Sequence, residues 1–129
     1  ALFAAGCCDD AETKSTIGKV FAEKDYLCDT HTAVAVKVYE NYVKETGDDI
    51  PTVIDSTASP YKFSASVLNA ILGGNTPALD EFEMVEKLAE ITGKSCPEQL
   101  ANLRDKAVRF DGCCSKDSME QVVFDMLGI

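Results

Sequence analysis

Apolar residues recur every three or four positions through most of this chain, and once they give way to a short, nearly continuous apolar run. Thr13, Ile17, Val20, Phe21 and Lys24 fall on one face of a predicted helix. Asp9 opens it as a cap, with Glu12 three residues on completing a capping-box pattern, and Gly18 makes it dependent on packing. A second helix is predicted from Asp29 or Thr30 to about Lys44, where Val34, Ala35, Val38, Tyr39 and Tyr42 form a broad apolar stripe ended by the turn at Gly47, Asp48 and Asp49. Residues 51–55 carry the β-branched run Thr52, Val53 and Ile54, which predicts one strand buried on both faces, as in a parallel sheet. One strand cannot stand alone, so its partners are expected from outside this chain or from a second copy of it.

Four further helices complete the pattern. Phe63 to Leu72 is closed by Gly73 and Gly74. Thr76 as cap and Pro77 in the first turn open the next, with Leu79, Phe82, Val85, Leu88, Ala89 and Thr92 inward and Gly93 as its stop. Ser95, Cys96, Pro97 and Glu98 open a short helix through Leu103, and residues 107–110 form a brief extended segment. Ser115 caps the last helix, whose buried side is Met119, Val122, Val123, Met126 and Leu127 and whose stop is Gly128. The expected class is α/β and mostly helical, with one strand, five or six helices, and no repeat or linker.

Composition narrows the function classes. Of 129 residues, 46% are hydrophobic and 26% charged, enough apolar content for a packed core rather than a disordered chain. Twelve basic against 22 acidic residues leave a formal charge of −10, which repels phosphate backbones and anionic membrane surfaces, so neither nucleic acid nor membrane is an expected partner. No apolar run is long enough to span a bilayer, and the first residues lack the basic start of a signal peptide, so the expected location is cytoplasmic. Six cysteines include the adjacent pairs Cys7–Cys8 and Cys113–Cys114. Neighbouring cysteines splay apart and lack the two-residue spacer of structural zinc sites, so no metal is expected; they read as small buried hydrophobes or surface thiols.

The candidate chemistry gathers where the apolar run ends in Asp55, Ser56, Thr57, Ala58 and Ser59, before Pro60 stops any strand. Small hydroxyl residues at the carboxyl end of a strand suit hydrogen bonds to a ligand. His31 is the only histidine, the side-chain type that titrates nearest neutrality, and it sits at a helix start where a structural hydrogen bond is equally open to it. Asp29 reads as a helix cap. Lys62 is either an anion contact or a solvated turn residue. Gly73, Gly74 and Asn75 read as a helix stop and turn rather than a phosphate loop, because Asp80 and Glu81 would oppose an anion there.

Ser56 to Phe63 resembles the signature that follows a late core strand in the longer-form threonine synthases, which use pyridoxal phosphate (PLP). Asp29, Thr30, His31, Thr32, Ala33, Val34 and Ala35 are similar to that family's Asp-Pro-His-Thr-Ala-Val-Ala, with Thr30 in place of the proline. Tyr26 and Leu27, the turn from Thr46 to Asp49, and the run from Asp105 to Phe110 fit as well, so the resemblance covers nearly the whole chain. It implies a C-terminal part of the large domain of a tryptophan-synthase-like (fold type II) PLP enzyme that converts O-phosphohomoserine and water to threonine and phosphate. It places the pyridine-nitrogen contact on Thr57, with Ser56 beside it, against the turn-capping role that the residues alone suggest for Thr57. It puts His31, Asp29 and Lys62 in the wall of the substrate site. Family members are several times longer, and their PLP-binding lysine and phosphate-binding loop lie before the part matched here. The opening Ala1 to Gly6, without Met or cap, reads the same way. On this view no residue of the 129 breaks bonds, and the piece is inactive without the N-terminal part of its own chain. The alternative class is a free-standing, non-catalytic helical module that self-associates or binds a protein partner through uncovered apolar faces.

Overall fold

The computed structural model describes residues 3–129, and among them every regular element is helical. The order is α1 (Asp10–Lys24), α2 (Thr30–Thr46), α3 (Ser64–Ile71), α4 (Glu81–Thr92), α5 (Glu98–Ala101) and α6 (Met119–Leu127), with 3₁₀ turns at Pro60–Phe63 and Lys116–Ser118. The expectation of an α/β fold with a strand is therefore overturned. The reading of the first six residues rests partly on Ala1 and Leu2, outside the described residues.

The caps of the first two helices fall where the pattern put them. Asp9 Oδ1 accepts from the Glu12 amide at 2.8 Å while Glu12 Oε2 accepts from the Asp9 amide at 3.2 Å, which satisfies two amides at the start of α1. Asp29 caps α2, and Gly47, in the left-handed region at φ 70°, ends it. After α3 the Gly74 amide donates back to the Asn69 carbonyl at 2.9 Å, so Gly73 and Gly74, both at positive φ, form a helix stop.

α1 packs against both α2 and α3, and α3 packs on α4. The core between them is Ile17, Leu27, Cys28, Ala33, Tyr61, Val67, Leu68 and Leu88. Tyr61 is buried, and its hydroxyl donates to the Lys94 carbonyl at 2.5 Å, which satisfies the one polar atom that its ring carries inward.

Residues 51–55 form no strand, and Val53 is 89% exposed. Tyr42 Oη donates to Asp48 Oδ2 at 2.7 Å near the carboxyl end of α2, whereas Ser56 meets Thr32 at its amino end. Ten residue steps of helix, from Thr32 to Tyr42, separate those anchors by about 15 Å at 1.5 Å per residue, so the eight steps from Asp48 to Ser56 run back along α2 without needing full extension. Among the described residues nothing pairs with them in a ladder. Residues 4–7 flank the same side of α2, with Gly6 so close to Val38 that a β-carbon there would lie 2.9 Å from Val38 Cγ1. The two segments border a cleft of about 620 Å³ lined by Ala35, Val38, Tyr39 and Tyr42 of α2.

Other boundaries also shift. α4 opens at Asp80, whose capping box with Glu83 supplies 2.8 Å bonds both ways, and not at Thr76, which accepts from Asn69 Nδ2 instead. α5 is a single turn that stops short of Leu103. Residues 107–110 are irregular. α6 forms where expected, but Met119, Val123, Met126 and Leu127 are exposed and only Val122 is partly covered. No helix among the described residues is long and apolar enough to cross a membrane.

Candidate functional site

The amino end of α2 brings together Asp29, His31 and Ser56 of the predicted site residues. Asp29 is 0% exposed. Its Oδ1 accepts from the His31 amide at 2.8 Å and from the Thr32 amide at 3.4 Å, and lies 3.1 Å from His31 Nδ1. Its Oδ2 accepts the Thr32 hydroxyl at 2.5 Å. Burial alone pushes this carboxyl up, but the donations from the Thr32 hydroxyl, the His31 amide and ring, and the Thr32 amide outweigh it and hold it below its ordinary value. Asp29 is thus an ionised carboxylate at neutral pH.

Thr32 is the link that sequence reasoning missed. Its Oγ1 lies 3.1 Å from Ser56 Oγ, across 24 residues of chain. A hydroxyl has one proton, and that of Thr32 is committed to the stronger, charge-assisted bond with Asp29. Thr32 Oγ1 thus lies against both Asp29 Oδ2 and Ser56 Oγ and ties the cap of α2 to the segment that ends at Ser56. The available signal was spacing: a threonine three residues after an aspartate cap sits where its hydroxyl meets the cap's side chain.

The remaining residues are placed differently. Thr57 follows Ser56 and is exposed, while Ser59 caps the 3₁₀ turn by accepting from the Tyr61 amide at 3.3 Å, so the capping role weighed for Thr57 belongs to Ser59. The His31 side chain is 64% exposed and its ring lies 5.0 Å from that of Phe63, tilted by 59°. It borders a shallow cleft with Cys8, Lys14, Val34 and Ser66. Lys62 is exposed and lines a different depression, with Phe82, Val85 and Leu103. The six cysteines are free thiols. Burial pushes the Cys28 thiol up to about 11, so beside Asp29 it is a protonated core residue rather than a nucleophile.

Residues 32–123 match the family model described as threonine synthase, C-terminal. That span is well over half of the 129 residues. The chain belongs to the threonine synthase C-terminal family. A threonine synthase of Saccharomyces cerevisiae is 33% identical over 86 residues, covering 63% of this chain and 17% of the yeast protein. The match to the family model starts at Thr32 and includes Ser56, Thr57 and Lys62, while Asp29 and His31 lie just before it.

Proposed function

We propose that this chain is a C-terminal part of a PLP-dependent threonine synthase, in which it forms one wall of the cofactor and substrate site and is inactive by itself. The family match over residues 32–123 carries the reading, and the small share of the yeast enzyme that the chain covers favours a part over a whole. The reaction would be conversion of O-phosphohomoserine and water to threonine and phosphate.

The hydroxyl pair fits one edge of the cofactor. Both residues are exposed; Ser56 is tied to Thr32, and Thr57 beside it is free to face a ring nitrogen. When bound, the cofactor supplies an electron sink for a substrate carbanion, and a neutral hydroxyl at its ring nitrogen tunes that sink without forcing protonation. His31 and Asp29 would line the substrate side, and Lys62 would meet an anionic group approaching from outside the helices. The exposed Phe3, Ile50 and Val53 and the cleft beside α2 are apolar surface that the remainder of the same polypeptide would cover. A self-associating module would use the same surface, but the family match favours the enzyme.

Thr57→Val in the full-length polypeptide tests the assignment. Loss of a hydroxyl contact to the cofactor is expected to lower PLP affinity or kcat about tenfold or more, corresponding to 1–2 kcal/mol. Thr57→Ser should restore most of it. A valine variant with unchanged PLP affinity and turnover would remove Thr57 from the cofactor site.

A further inference from the structure

We infer that Asp29 is a positioning residue that holds the neutral His31 ring in the tautomer with its proton on Nδ1, leaving Nε2 as an open proton acceptor at the exposed edge of the site. This deepens the threonine synthase reading, and rests on it only for the use to which that acceptor is put.

The observation is geometric. Two groups approach His31 Nδ1: Asp29 Oδ1 at 3.1 Å and the Thr30 hydroxyl at 3.4 Å. They constrain the ring differently. An ionised carboxylate only accepts, so it requires a proton on Nδ1, whereas the hydroxyl can donate to a bare Nδ1 or accept from a protonated one. The carboxylate contact is shorter and charge-assisted, so it decides the tautomer. The carboxylate cannot turn away, because Thr32 occupies Oδ2 and the His31 and Thr32 amides hold Oδ1. The ring is set from its other side by Phe63. Free imidazole side chains in water favour the proton on Nε2, so the fold reverses the ordinary preference.

The arrangement has a chemical use. Nε2 can take a proton from a water or a ligand hydroxyl, the ring gaining one proton and one positive charge as the donor loses one proton. Nδ1 stays hydrogen-bonded to the Asp29 carboxylate throughout that step, as the histidine does to its carboxylate in hydrolase triads. In a reaction that adds water to a substrate, His31 is then placed to activate that water. The charged and titratable groups that share the cleft with the ring are Asp10 and Lys14 of α1 and Cys8, and Asp29 hydrogen-bonds it.

The test uses the chain by itself, without cofactor. His31 is the only histidine, so long-range proton–nitrogen spectra of the uniformly ¹⁵N-labelled protein report one imidazole. On the high-pH plateau the wild type is expected to show Nδ1 as the protonated nitrogen and Nε2 as the bare one. Asp29→Ser keeps a helix cap but is too short to reach the ring, and is expected to return the major tautomer to Nε2–H. Asp29→Asn keeps the oxygen at Nδ1 and is expected to keep the Nδ1–H tautomer. A wild-type spectrum with Nε2 protonated overturns the inference, as does an Asp29→Ser spectrum identical to wild type. If Asp29→Ser does not fold, the wild-type spectrum decides alone. Loss of the threonine synthase reading would leave this result intact, and a negative result here would leave that reading standing.

Discussion

Replacing Asp29 with alanine is expected to lower the stability of the fold by about 2–4 kcal/mol at neutral pH. About 1 kcal/mol of this is the helix cap, and the rest is the loss of the charge-assisted bond between the buried Thr32 hydroxyl and the carboxylate. Asp29→Asn separates charge from shape. The native carboxyl is held below its ordinary value, so its contribution is complete above the unfolded value near 3.9 and disappears as pH falls through the lower, folded one. Urea unfolding followed by circular dichroism should show Asp29→Asn less stable than wild type at neutral pH, with the gap closing below about pH 4. A gap constant down to low pH would mean that the ionised form has no special place in the fold.

Leu68→Ala is expected to cost about 2–5 kcal/mol, because Leu68 is fully buried on α3, which packs against both α1 and α4. For a domain of ordinary stability, roughly 5–15 kcal/mol, that is a large fraction of the total and should shift the unfolding midpoint plainly. Leu127→Ala in α6 is the natural comparison. The residue is exposed, so the change should stay within about 0.5 kcal/mol. Equal effects at the two positions would mean that α6 belongs to the core.

The helices that were legible in the chain are those whose ends carry local chemistry. Asp9 with Glu12, Asp29 at α2, and Gly47, Gly73, Gly74 and Gly93 act through their own neighbours, so no tertiary information was needed. Thr76 and Pro77 failed as the start of α4 because Asp80 and Glu83 three residues apart form the stronger reciprocal cap, and Thr76 was taken up by Asn69. Thr52, Val53 and Ile54 misled because β-branched residues only favour a pleated backbone, whereas a strand also needs a partner in register. The same holds for α6: amphipathic periodicity predicts a helix and an apolar face, but not that the face is covered.

Asp29, His31 and Ser56, named from the chain as candidates, lie near one another at the amino end of α2; Thr32, which touches Asp29 and Ser56, was not named because Ser56 is 24 positions away. Thr57 and Lys62 lie on the surface, where only a bound ligand or the rest of the polypeptide can give them a role.

If this chain is one part of a threonine synthase, as proposed, phosphate release from O-phosphohomoserine depends on the rest of the polypeptide. The full-length polypeptide with PLP is expected to release phosphate and form threonine in equal amounts, while the 129-residue chain with PLP stays at background. Turnover by the 129-residue chain alone, or none by the full-length polypeptide, would contradict the proposal.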